Sequence, residues 1–319
     1  LSGLVGSEMC IRDRLTKTDN TEVISALVNA LCSQAENRNE FDGSAFYDRA
    51  SKYIASTSGA NWYTYQWLTF KSQILHGQRF FNSESQAKLR EIFREIGKLK
   101  TIDRQCPITW IEPGPRSKFT KIKRARIVSG DLARKIRKNP ESELSIPPKN
   151  LRAAGRLNAA GVGVFYGADD VKTCMAELRA PVGSIVYCGE FELVKPICVF
   201  DMTIFDKPEK HTSIFAPMYG MQRDSWVFMR TFKREMTKAI LPHDEHLAYI
   251  PIQAVAEFLS SKFQPKVDGE KTRIDGMIYS SSQYTNGQNI ALFGERFGPR
   301  TDDSISDEER PLLFKGYQR

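Results

Sequence analysis

The stretch GRLNAAGVGVFYGADDVKTCMAE, Gly155 to Glu177, decides the reading of the fold. It begins as a glycine-bounded loop, passes into a run of strand composition from Val162 to Ala168, and continues as a helix. Two-residue alternation puts Val162, Val164 and Tyr166 on one face of the strand. Asp169 and Asp170 are the N-cap candidates of the helix. Val171, Cys174, Met175 and Leu178 form its apolar stripe. At 3.6 residues per turn Glu177 falls about 60° beyond Cys174, on the border of that stripe. An arginine before the strand, a tyrosine on it and a carboxylate at the edge of a packed helix are thus expected to converge on one cleft.

Working outward, the ordered set GRLN, VFYGA and AELR resembles the RES domain, a family named for its Arg, Glu and Ser. The family's serine follows a strand near the C-terminus and precedes an Asn-x-x-Leu-Phe segment. This chain offers Asp275-Gly-Met-Ile-Tyr-Ser-Ser-Ser282 and then Asn289-Ile-Ala-Leu-Phe-Gly294. The family's proline between tyrosine and serine is replaced here by Ser280, so Ser281 is the matching serine and Ser280 the stand-in. The pattern elements run in order from about Arg124 to Gly294.

The resemblance implies an α+β fold, a mixed sheet around a cleft similar to that of ADP-ribosyltransferase toxins. It also implies an NAD⁺-degrading enzyme that cleaves the nicotinamide–ribose bond by hydrolysis or phosphorolysis. Such proteins are typically toxins of bacterial toxin–antitoxin pairs, held inactive by an Xre-type antitoxin. NAD⁺ is then a substrate, and no cofactor or metal is called for. Carried residue by residue, the catalytic set is Arg156, Tyr166, Glu177 and Ser281. Arg126, Asn158, Ser280 and Asn289 are the substrate-binding candidates, with Asn158 and Asn289 expected at the cleft rim.

The residue chemistry suits that reaction. Departure of nicotinamide leaves an oxocarbenium-like ribose, which a fixed carboxylate stabilises; Glu177 is the candidate. A guanidinium forks onto pyrophosphate oxygens, the role for Arg156. Tyr166 is placed to hydrogen-bond the substrate or stack on the nicotinamide ring, and Ser281 to orient the ribose or the amide. Against this stand bland readings: an Arg156–Glu177 structural ion pair, a core tyrosine at 166, and turn chemistry at Ser281. Transfer of ADP-ribose to a protein and a catalytically silent binding module are the competing functions.

The remainder of the chain sets bounds. Hydrophobic residues are 41% and charged residues 26% of 319, ordinary for a globular protein, and no apolar run is long enough to span a bilayer. Leu4 to Arg14 reads as translated sequencing adapter, so residues 1–14 are set aside and the native N-terminus is expected to be missing. Without Cys10, five cysteines with no CxxC pair point to a reduced, cytoplasmic setting and away from a zinc ribbon. The net charge of +8 concentrates between Lys118 and Lys138, where nine basic residues meet one acid. That run is either a solvated face or a surface for polyphosphate or an acidic protein. Nucleic acid fits less well, since no aromatics interleave the charges.

In order along the chain, residues 15–105 carry helical periodicity and resemble the HEPN-like helical domain found ahead of some RES domains. Only the fold is carried over: His76 has no arginine at the spacing of the nuclease motif. Within this segment Ser83 to Gln86 has capping-box spacing. Residues 106–118, with Pro107, Pro113, Gly114 and Pro115, read as a linker. The RES domain is placed at 119–298 and a charged tail, peripheral or disordered, at 299–319. Within the domain, Lys123–Val128 reads as a strand, Asp131–Lys138 as a helix and Asn139–Asn150 as a loop. Three strands follow at 184–188, 190–193 and 197–202, then helices at 226–240 and 247–263. His243 and His246 are three apart, where a helical zinc pair needs four.

Overall fold

The computed structural model describes residues 58–319, apart from 116, 211–218, 239, 241, 242, 268 and 300–304, together with isolated positions 22, 26, 29 and 30. The helices read at 21–32 and after Ser44 therefore lie essentially outside the described residues, as do residues 1–14.

Among the elements described over their whole length, two helices precede the sheet. In α1 (Ser58–His76), Tyr63, Trp67, Phe70 and Ile74 recur at intervals of four, three and four and are all buried. In α2 (Ser83–Phe93), the N-cap is Asn82, whose Oδ1 accepts from Ser85 N–H, so the cap lies one residue before the serine that sequence reading favoured.

The sheet has eight strands: β1 (Ile108–Ile111), β2 (Lys121–Val128), β3 (Val164–Ala168), β4 (Ile185–Leu193), β5 (Ile197–Asp201), β8 (Gly276–Ser280), β9 (Gln288–Phe293) and β10 (Leu312–Gln318). A separate two-stranded ribbon is formed by β6 (Lys266–Val267) and β7 (Glu270–Lys271). The spatial order of the large sheet is β1-β5-β8-β9-β3-β2-β4-β10. Among the described strands only β5 and β8 run parallel; their crossover carries α6 (Tyr219–Thr237), α7 (Glu245–Ala248) and α8 (Ile250–Ser261).

Alternation along the strands feeds two cores. One face contributes Val164, Met277, Tyr279, Ala291 and Phe293 to a core completed by α1, α2, α6 and α8. Trp67 meets Phe232 edge-on at 5.1 Å and Phe93 meets Phe200 at 6.1 Å, contacts worth about 0.5–1.5 kcal/mol each beyond area burial. The described helices of the N-terminal segment thus share one core with the sheet. The other face contributes Phe165, Ile278, Ile290 and Leu292 to a core shared with Ile136 of α3 (Asp131–Lys138) and Leu144 of α4 (Pro140–Leu144).

The sheet narrows at its middle. β2 and β3 are joined by the single pair Lys123↔Ala168, whereas β2 and β4 match over eight pairs. Any Cβ at Gly167 would overlap Ile122 Cγ2, so glycine is what permits this approach. The helix α5 (Val171–Leu178) follows β3 directly and lies against β2.

Four segments differ from expectation. The proline-flanked 106–118 stretch contains edge strand β1, and 139–150 contains α4, because Pro140 occupies the first turn, where its missing N–H costs nothing. The strands expected at 184–188 and 190–193 are one strand, β4, continuous through Gly189. The charged tail ends in β10, held to β4 by backbone pairing and by Phe314 packing on Phe191 at 5.3 Å.

Candidate functional site

The loop before β3 is built around a single hydroxyl. Tyr166 Oη donates to Asn158 Oδ1 at 2.8 Å and accepts from Leu157 N–H at 2.9 Å. Asn158 Nδ2 in turn donates to the carbonyls of Ala153, Ala159 and Val162, and its side chain is buried. A Cβ at Gly155 would stand 2.6 Å from Asn158 Oδ1 and 2.9 Å from Tyr166 Oη, so the glycine of GRLN makes room for the staple. Asn158 is therefore the buried clasp of the loop and not a rim residue. Burial pushes the Tyr166 phenol well above its ordinary value, keeping it neutral.

The clasp fixes Arg156. Its Nη1 donates to the carbonyl of Met236 and, at 3.0 Å, to that of Lys238, capping the C-terminal end of α6 where a cation is favoured. Its guanidinium lies 5.0 Å from the ring centroid of Tyr249. One turn further on, Gln253 Nε2 donates to Gly155 O at 2.7 Å. Arg156 and Glu177 form no ion pair, so the bland reading of that couple does not hold.

Glu177 is placed by α5 and by the β8–β9 turn. Asp170 is the N-cap, its Oδ1 accepting from Thr173 N–H at 2.9 Å and its Oδ2 from the Thr173 hydroxyl at 2.7 Å. Cys174 Sγ donates to Lys123 O at 3.1 Å, fixing the helix on β2. Glu177 Oε1 accepts from Ser281 Oγ at 2.6 Å and from Asn289 Nδ2 at 2.8 Å. Ser281 Oγ also accepts from the N–H groups of Gln283 and Tyr284, at 3.1 and 3.0 Å. Its one proton is committed to Glu177, which makes it a positioner of the carboxylate. Gly287 allows the turn to come this close: a Cβ there would overlap the Thr173 hydroxyl. Glu177 Oε2 has no protein partner among the described residues, and the side chain is exposed.

Two expected binders stand apart. Arg126 donates to the Glu143 carbonyl and sits 3.9 Å from its carboxylate; alternation puts it with Ile122 and Val128, on the sheet face opposite Tyr166. Ser280 faces a hollow of about 940 Å³ lined also by Trp110, Lys118 and Asp201, while of these two serines it is Ser281 that reaches Glu177. A second hollow, of about 840 Å³, lies behind the clasped loop against Leu157 and Asn158; neither hollow includes Arg156, Tyr166 or Glu177.

Two residues escaped sequence reading. Arg124 donates to Tyr166 O at 2.7 Å and lies 5.3 Å from the Phe165 ring; burial and the neighbouring Arg126 draw it down to about 10. Tyr279, buried on β8 and paired in register with Asn289, has Tyr166, Glu177, Arg156 and Tyr249 as its electrostatic neighbours. Among the described residues no cluster of three or more His, Cys, Asp or Glu side chains is arranged to hold a metal.

The family model for the RES domain matches residues 131–314, more than half of the chain. Comparison with curated proteins and with solved structures gives no significant match.

Proposed function

This chain belongs to the RES domain family, and on that premise we propose that it cleaves the bond between nicotinamide and ribose in NAD⁺. The observation that carries the reading is Glu177. One carboxylate oxygen is held by Ser281 and Asn289 while the other has no partner among the described residues, and Asn289 shares its sheet face with the neutral phenol of Tyr166.

In this reading the C1′–N bond breaks with its electron pair going to the pyridinium nitrogen, so nicotinamide departs neutral and needs no general acid. Positive charge develops on the ribose, and Glu177 Oε2 lies against it. Water or phosphate then bonds to C1′; with water one proton is released, and the products are nicotinamide and ADP-ribose. Arg156 Nη1 is engaged by the Met236 and Lys238 carbonyls, leaving Nε and Nη2 to meet diphosphate oxygens. NAD⁺ is consumed as substrate, and positioning with electrostatics supplies the rate without a metal.

The narrowing of the sheet to a single residue pair between β2 and β3 suits a fold similar to ADP-ribosyltransferase toxins. The protein acts, on the same reading, as a bacterial toxin working in the cytoplasm and restrained by an Xre-type antitoxin. No helix among the described residues is long and apolar enough to cross a membrane. The test is product analysis by mass spectrometry after incubation with NAD⁺, with and without inorganic phosphate. Nicotinamide with ADP-ribose, or with its phosphate, is expected. Label transferred to protein would replace this reaction with ADP-ribosylation, and intact NAD⁺ would overturn the reading.

A further inference from the structure

Two tyrosines project from the sheet on the side of the site, and their hydroxyls differ. That of Tyr166 is used twice within its own loop, as donor to Asn158 and acceptor from Leu157. The Tyr279 side chain is only 9% exposed, yet its hydroxyl has no protein partner among the described residues. Nor is that oxygen sealed in the interior, since it is absent from the buried polar atoms without partners. A ring packed in the core with an unengaged hydroxyl at its tip presents that hydroxyl to whatever enters the site.

Its position is defined by the strands. Tyr279 pairs with Asn289, one of the two donors to Glu177 Oε1, and Ser281, the other, lies two residues on. Arg156 lies over the Tyr249 ring at the α7–α8 junction, and its charge is among those that act on the Tyr279 hydroxyl. Tyr279 thus stands on the same sheet face as the two residues that hold the carboxylate. In a dinucleotide the group that carries the scissile C–N bond is the ribose. We propose that Tyr279 is the substrate-touching phenol of this site, hydrogen-bonding the ribose that joins the diphosphate at Arg156 to the bond broken beside Glu177. Tyr166 is then a positioning residue that shapes the arginine loop. This assignment rests on the NAD⁺ reading above. Burial, with the Tyr166 phenol and Glu177 nearby, pushes the Tyr279 hydroxyl far up, so it acts as a neutral donor and gives up no proton.

The test compares the full chain with Tyr279→Phe and Tyr166→Phe, measuring NAD⁺ consumption at varied substrate concentration and the thermal midpoint of each. Removing an unengaged hydroxyl leaves the packed ring in place. Tyr279→Phe is expected to keep its midpoint within about 2 °C of wild type and to lose about tenfold in kcat/KM. Tyr166→Phe is expected to lower the midpoint, because Asn158 and Leu157 lose a partner. A folded Tyr279→Phe with wild-type kcat and KM, in a preparation whose wild type consumes NAD⁺, would overturn the assignment alone. A folded wild type inert toward NAD⁺ would overturn the functional reading and this assignment with it.

Discussion

Ser281 Oγ donates a 2.6 Å hydrogen bond to Glu177 Oε1 across 104 residues of sequence. The bond joins the β8–β9 turn to α5 and, with Asn289, leaves a single carboxylate oxygen facing outward. Ser281 is a fixed part of the acid's mounting.

Ser281→Ala should therefore reduce kcat more than it changes KM. The carboxylate keeps its charge and its bond from Asn289 but loses a donor worth about 1.5–3 kcal/mol to a charged acceptor, so a fall of about tenfold to a hundredfold in kcat is expected. Steady-state kinetics on the folded variant checks this. Ser280→Ala, altering a group that faces the other hollow, should leave turnover within about twofold of wild type, as expected for a substitution away from the site.

Gly155→Ala tests the clasp. The new methyl would meet Asn158 Oδ1 and Tyr166 Oη at distances no real Cβ tolerates, so the loop must open. Loss of two buried hydrogen bonds predicts about 2–4 kcal/mol of destabilisation, read by urea denaturation, together with loss of the Arg156 placement and hence a raised KM.

The acid limb of stability has a nameable contributor. The Lys123 ammonium, supported by Lys121, holds the Glu190 carboxyl below the ordinary carboxylate range across the β2–β4 ladder. A depressed folded value means this stabilisation is fully present above the unfolded carboxylate value of about 4.3 and is lost as pH falls through the lower folded one. Glu190→Gln should flatten the stability profile in that window while leaving the slope between pH 6 and pH 8 unchanged, as thermal midpoints across pH would show.

Much of the site's frame was legible because it is local. Asp170 capping α5, the helix at Asp131–Lys138 and the strand ending at Val128 follow from neighbouring residues. Glu177, Ser281 and Asn289 were also picked out, and the structure brings them together. What sequence could not supply is how each hydroxyl is spent. Tyr166 reads as a substrate contact until Asn158, eight residues earlier, is seen to take its proton. Tyr279 reads as a strand residue until its pairing with Asn289 sets it beside the donors of Glu177. Arg126 alternates onto the wrong face only once β2 is paired with β4. The terminal strand was hidden by the charged residues preceding it, although Leu312 and Phe314 carry the alternation that docks it on β4.

The central claim is that the free oxygen of Glu177 stabilises positive charge forming on the ribose of NAD⁺. Its most direct test is the rate of nicotinamide release by Glu177→Gln, a variant that retains an oxygen to accept from Ser281 and Asn289 and differs chiefly in charge. The account predicts a correctly folded protein, by circular dichroism and thermal midpoint, whose release rate falls by about a hundredfold or more. Release at the wild-type rate by that folded variant would contradict it.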